Sequence, residues 1–185
     1  MSKLTQTIFC LSLSVLVLTG ACSAPAPTSS SKQPQPNQVA AYNDPFTYCA
    51  SVVTVDSPDA RYIGPKMPDS VIQGLIAKGI VTAYAPADFQ KNATWRCMQG
   101  HVWACHFGAN LPCLEKANTS KTPASGMEDF CKANPNADNI PAAVTGRATV
   151  YEWKCVSGKP EVTRQVFQVD PQGYLANFWY ELPSK

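Results

Sequence analysis

The sequence predicts an α+β domain, mainly antiparallel sheet with two short helices, held by disulfides and carried behind an export signal and a tether. Three observations lead there. Apolar residues alternate with period two through the C-terminal third, stripes of helical period are confined to two short segments, and six cysteines fall between Cys49 and Cys155.

The leader comes first in the chain. Lys3 is the only charge in Met1–Cys22, and an apolar run from Ile8 to Leu18 follows it. Eleven residues make about 16 Å of helix, about half a bilayer core, so the run reads as the core of a signal peptide over residues 1–21 rather than as a membrane span. Leu18-Thr19-Gly20-Ala21-Cys22 resembles a bacterial lipobox, with Thr19 where that motif usually places leucine. The resemblance implies a diacylglyceryl group on Cys22, together with an N-acyl chain such as palmitate. More than one chain gives stable membrane anchoring. Ser23 after the cysteine implies the periplasmic face of the outer membrane if the cell is Gram-negative. Ordinary cleavage near Ala24 or Ala26, discarding Cys22, is the alternative.

Residues 22–41 are rich in proline and serine with almost nothing to bury, and read as a tether. Aromatic residues begin at Tyr42, and residues 42–185 form the expected single globular domain. Its first element is predicted as a strand over Tyr48–Val55. Asp69 can cap a helix over Ser70–Lys78, in which Val71, Ile72, Leu75 and Ile76 share a stripe and Gly79 supplies the stop. Trp95–Met98 and His101–Cys105 flank Gln99-Gly100 as a hairpin. A second helix is predicted from an N-cap at Thr122 with Pro123 behind it, aligning Met127, Phe130 and Cys131, and ending at Asn134-Pro135.

The C-terminal third is predicted as a three-stranded meander. Thr149, Tyr151, Trp153 and Cys155 alternate up to a turn at Ser157-Gly158, a second strand spans about Val162–Val169, and Asp170-Pro171-Gln172-Gly173 makes a β-turn. Tyr174, Ala176, Phe178, Tyr180 and Leu182 then share one face of a closing strand. The two hairpin approaches echo each other: Trp95-Arg96-Cys97-Met98-Gln99-Gly100 and Trp153-Lys154-Cys155-Val156-Ser157-Gly158 both read Trp, basic, Cys, two residues, Gly. Related hairpins and the shared grammar of a strand entering a turn both account for it.

Of eight cysteines, Cys10 falls in the leader and Cys22 in the lipobox. Cys49, Cys97, Cys105, Cys113, Cys131 and Cys155 remain, an even number in an exported domain, and are expected to form disulfides. A two-residue turn at Gln99-Gly100 puts Cys97 and Cys105 on opposite faces of their hairpin, which leaves Cys105–Cys113 as the favoured local pair. The competing reading is a metal set built from His101 and His106 with these cysteines, but no Cys-x-x-Cys knuckle is present.

A balance of 15 Lys+Arg against 13 Asp+Glu gives no basic field for nucleic acid. No Gly-x-Ser-x-Gly elbow, phosphate loop, Ser-x-x-Lys or His-Glu-x-x-His occurs, and no cofactor motif is present, so the residues lean away from an enzyme. A cysteine nucleophile with His101 or His106 as base needs a free thiol. Glu128-Asp129 suit the first turn of a helix, where the macrodipole favours acids. The candidate binding surface is aromatic. Trp179 is out of phase with Tyr174, Ala176, Phe178 and Tyr180 and is expected on an exposed face, and Arg61-Tyr62 beside Pro58-Asp59 is a second candidate contact.

From Tyr48 onward, Pro58-Asp59-Ala60-Arg61-Tyr62, Gly108-Ala109-Asn110-Leu111-Pro112-Cys113, Phe130-Cys131-Lys132-Ala133-Asn134-Pro135 and Tyr151-Glu152-Trp153-Lys154-Cys155 together resemble an uncharacterised family of bacterial exported lipoproteins with no assigned activity. The strand Tyr151–Gly158 is also similar to one in periplasmic lysozyme inhibitors. The expected function is therefore a lipid-anchored envelope protein that binds a protein or glycan ligand without catalysis. Inhibition of an exported hydrolase such as lysozyme, and an envelope enzyme whose site is assembled from distant residues, are the alternatives.

Overall fold

A computed structural model describes residues 40–108 and 111–184. The expected signal peptide, Cys22 and nearly all of the expected tether lie outside the described residues. No described helix is long and apolar enough to cross a membrane.

Both predicted hairpins form. Strand β1 (Ala93–Met98) pairs with β2 (His101–His106) in the expected register, from Ala93 opposite His106 to Met98 opposite His101. Strand β3 (Tyr151–Val156) pairs with β4 (Lys159–Gln165), with a shift of one residue between Glu152 and Trp153. Each turn is a two-residue pair at positive φ: Gln99 and Gly100 at 54° and 83°, Ser157 and Gly158 at 50° and 81°. That geometry matches strand twist and favours glycine at the second place.

The third strand joins a different sheet. The turn at Asp170 closes, with the Gly173 N–H donating to the Asp170 carbonyl at 2.9 Å, but Ala176–Phe178 then coil into a 3₁₀ turn. Only Tyr180–Glu181 is extended, as β5, and it pairs with β2 rather than β4. The result is a three-stranded antiparallel sheet in the order β1-β2-β5 and a separate hairpin, an α+β architecture with the antiparallel character expected.

Tyr48–Val55 is not a strand. Pro45–Val52 forms helix α1, because Asp44 accepts the Thr47 N–H at 2.9 Å and Pro45 occupies the first turn. These start signals outweigh the β-branched run that follows, and extended pairing survives only where Val55 bridges Cys97. Helix α2 (Asp69–Ala77) starts one residue early with Pro68 in the cap position, and Gly79 ends it at a φ of 71°. Gly74 of α2 lies against Leu182, where a Cβ would come within 2.8 Å of a leucine methyl. Two single-turn helices, α3 (Ala87–Gln90) and α5 (Ala142–Thr145), follow Pro86 and Pro141. Helix α4 (Ser125–Ala133) begins later than Thr122, capped by no side chain, and buries Met127 and Cys131.

Three disulfides join Cys49 to Cys97, Cys105 to Cys113 and Cys131 to Cys155. Two of them have the same surroundings. Cys49 on α1 is tied to β1, and Cys131 on α4 to β3; Tyr48 and Phe130 precede the helical cysteines. After each helical cysteine the chain straps the hairpin at the same three offsets. Four residues on, the Val53 and Pro135 carbonyls accept the Gly100 and Gly158 N–H groups at 2.7 and 2.9 Å. Five on, Thr54 Oγ1 and Asn136 Oδ1 accept the Gln99 and Ser157 N–H groups at 3.1 and 3.3 Å. Six on, the Val55 and Ala137 carbonyls accept the Cys97 and Cys155 N–H groups at 3.1 and 2.8 Å. The six-residue echo is thus one end of a repeated helix, strap and hairpin. The first repeat is the longer, with its cysteines 48 positions apart in sequence against 24, and α2 and α3 fill the difference. Each repeat has its own core: Tyr48, Val71, Leu75, Trp95 and Val102 in the first, Met127, Ile140 and Trp153 in the second.

Candidate functional site

Trp179 is not an exposed stacking surface. It is 5% exposed, and the Arg96 guanidinium lies over its ring at 4.1 Å and over the Tyr174 ring at 4.4 Å. Arg96 is itself fully buried and pairs with the Asp170 carboxylate, while Gln172 Oε1 accepts a second bond at 2.8 Å. The other oxygen of Asp170 accepts the Gln172 and Tyr174 N–H groups at 2.9 and 3.1 Å. A buried charge requires such partners. Trp179 is not separated from Tyr174 as the period implied: the two rings pack at 5.4 Å on the same side of Arg96, in a layer that covers this face of the sheet.

The histidines do not form a site with the described cysteines, all six of which are in disulfides. His106 is buried against Phe89; its Nε2 lies 2.7 Å from the Phe89 carbonyl and its Nδ1 accepts the Gly108 N–H at 3.1 Å. That assigns the proton to Nε2 and leaves neither nitrogen for a metal or a substrate. His101 stands at the far end of β2, exposed, with Nδ1 3.1 Å from Glu181. Five residues of strand separate the two along the backbone by about 16 Å and turn them to opposite faces. Among the described residues no three His, Cys, Asp or Glu side chains are grouped to hold a metal.

Arg61 and Tyr62 flank a groove. After the strap, the chain arches over the start of β1, where Tyr42 and Tyr62 bridge in parallel: Tyr42 N–H donates to the Arg61 carbonyl and Ile63 N–H to the Tyr42 carbonyl, both at 2.8 Å. Arg61 grips Asp59, with Nε 3.0 Å from both carboxylate oxygens and Nη2 2.5 Å from Oδ2. These bonds hold the Asp59 carboxyl far below the usual carboxylate range. The Asp59 N–H donates to the Tyr48 hydroxyl at 3.0 Å. Tyr62 packs edge-on to Trp95 at 4.8 Å, and its hydroxyl is buried with no partner among the described residues. Burial pushes the Tyr62 phenol up in pKa. Gly64 permits this packing, since a Cβ there would collide with the Tyr62 hydroxyl and the Asn43 carbonyl.

The groove has a volume of about 720 Å³, within the range of small-ligand clefts. Tyr62, Met67, Trp95, Phe107 and Leu114 form its apolar wall, with Leu114 71% exposed. Lys66 and Lys91 also line it, and neither is in an ion pair among the described residues. Its one acid, Asp59, is already neutralised by Arg61, so the uncompensated charge is positive. Of these residues the sequence singled out only Tyr62, and Arg61 behind it. Trp95 was legible only as a strand residue of the hairpin, and the others converge from separate segments and carry no local pattern.

Comparison with protein-family models, curated proteins and solved structures returned no match.

Proposed function

We propose that this protein is an exported lipoprotein, anchored through Cys22, whose domain binds a protein or glycan ligand in the groove beside β1. The leader and the lipobox-like Leu18–Cys22 support the anchor. The binding site moves from the expected Trp179 surface to the groove flanked by Arg61 and Tyr62. One observation carries it: an apolar cleft of about 720 Å³ bearing two lysines that are in no ion pair among the described residues, beside an acid whose charge is already answered. Free positive charge over an apolar wall suits an anionic ligand with apolar surface of its own. No nucleic acid is implied, since the net charge is only +2. Binding rather than catalysis is favoured because the described cysteines are all in disulfides and His106 is spent on backbone bonds.

The test is a binding panel with the full chain in detergent: an acidic peptide, a basic peptide and an alginate oligosaccharide, each repeated against Lys66→Glu with Lys91→Glu. Anionic probes should bind and charge reversal should abolish binding. Absence of any binding, or binding indifferent to the reversal, contradicts the reading.

A further inference from the structure

The two repeats differ at one backbone position on the hairpin edge. In the second, Ile140, nine residues after Cys131, donates its N–H to the Trp153 carbonyl at 2.8 Å, two residues before Cys155. The equivalents in the first are Pro58, nine after Cys49, and Trp95, two before Cys97. Pro58 has no N–H to give. Cys97 exchanges both backbone bonds with Val55 on the edge away from β2, so Trp95, two residues earlier, directs its own N–H and C=O to that same edge. Neither group has a hydrogen-bond partner among the described residues. The space beside them differs accordingly. A groove of about 720 Å³ lies there in the first repeat, and one of about 240 Å³, lined by Asn139, Ile140, Tyr151 and Glu152, occupies the corresponding place in the second.

We propose that the unpaired backbone edge at Trp95, which lines the groove though the residue is only 2% exposed, takes a short extended peptide carrying an acidic side chain, which adds to β1 as a strand. The inference rests on the groove being the binding site and names its ligand. A peptide supplies the N–H that Pro58 lacks and accepts the one Trp95 offers. Its alternate side chains face the apolar wall, and an acidic one meets Lys66 or Lys91. Lysines at a sheet edge also serve to repel self-association, but that role needs no groove beside them. The chain's own tether is a poor occupant: residues 23–41 contain Lys32, no acid and four prolines.

The experiment measures fluorescence polarisation of labelled Glu-Val-Asp-Val-Thr-Val with the full chain in detergent micelles. Its comparators are the same peptide N-methylated at alternate residues, a lysine-for-acid version and an alginate hexasaccharide. The acidic peptide should bind, alternate N-methylation should weaken it about tenfold, and Lys66→Gln with Lys91→Gln should do the same. Peptide binding that ignores N-methylation, or that is equal for the lysine version, overturns strand addition. Binding of the hexasaccharide alone also overturns it, yet preserves the groove as the site. Binding of neither probe overturns both.

Discussion

The Arg96 guanidinium rests 4.1 Å from the centre of the Trp179 ring, so the tryptophan expected at the surface instead covers a buried cation. The contact joins β1 to the segment leading into β5. Arg96 holds Asp170, Asp170 holds the turn through its other oxygen, and the turn delivers Tyr174 and Trp179 onto Arg96. This closed circuit gives the outer face of the sheet a polar centre inside an aromatic shell.

Breaking that circuit on one side should be costly. Asp170→Asn leaves Arg96 as an uncompensated buried charge and should destabilise by about 3–5 kcal/mol in urea unfolding. Trp179→Ala removes the cover and should cost about 3–5 kcal/mol. Losses below about 1 kcal/mol in both would show that water reaches the pair.

The three disulfides should rank by loop length. With the cysteines 48, 24 and 8 positions apart in sequence, the chain-entropy relation gives about 4, 3.5 and 2.5 kcal/mol for Cys49–Cys97, Cys131–Cys155 and Cys105–Cys113. Paired Cys→Ala variants in denaturant measure the order. The reverse order would mean that folded-state packing, not the unfolded chain, sets the effect.

The repeat predicts matched losses at its two straps. Thr54→Val and Asn136→Ala each remove the acceptor of one turn N–H, and each should cost about 1 kcal/mol. Because the two bonds share no partner, the double variant should show the sum. A clearly unequal pair would contradict equivalence of the straps.

Asp59 should titrate well below its ordinary value of 3.8. A folded value below the unfolded one gives a contribution that is present above about pH 4 and fades as pH falls through the lower folded value. The groove charge should therefore not change between about pH 4 and 8 through this group. Carboxyl NMR during acid titration checks it; a midpoint at the ordinary value would mean that the Arg61 grip does not hold in solution.

The anchor is tested by Cys22→Ala, which should move the protein from the membrane fraction to the soluble one. Unchanged fractionation would contradict lipidation at that residue.

Local signals were legible where they act locally. Gln99-Gly100 specified turn and register together, and the Val71–Ile76 stripe located α2. The start of α1 was also written in Asp44-Pro45, but the run Val52-Val53-Thr54-Val55 reads as strand and masked it. The closing segment misled for a physical reason: Tyr174, Ala176 and Phe178 have strand period, yet Arg96, buried from β1, draws the segment into a tight turn. The groove was hardest to see. Its lysines and Leu114 meet only through the fold, and the feature that leaves the Trp95 carbonyl unpaired, a proline at position 58, has meaning only beside Ile140 in the second repeat.

The most direct test of the groove as the binding site is a backbone NMR titration of the domain with the acidic peptide. Resonances of Tyr62, Lys66, Lys91 and Trp95 should shift in a saturable manner while those of Tyr151 and Trp153 stay fixed. Equal shifts in both repeats, or shifts confined to residues away from β1, would contradict it.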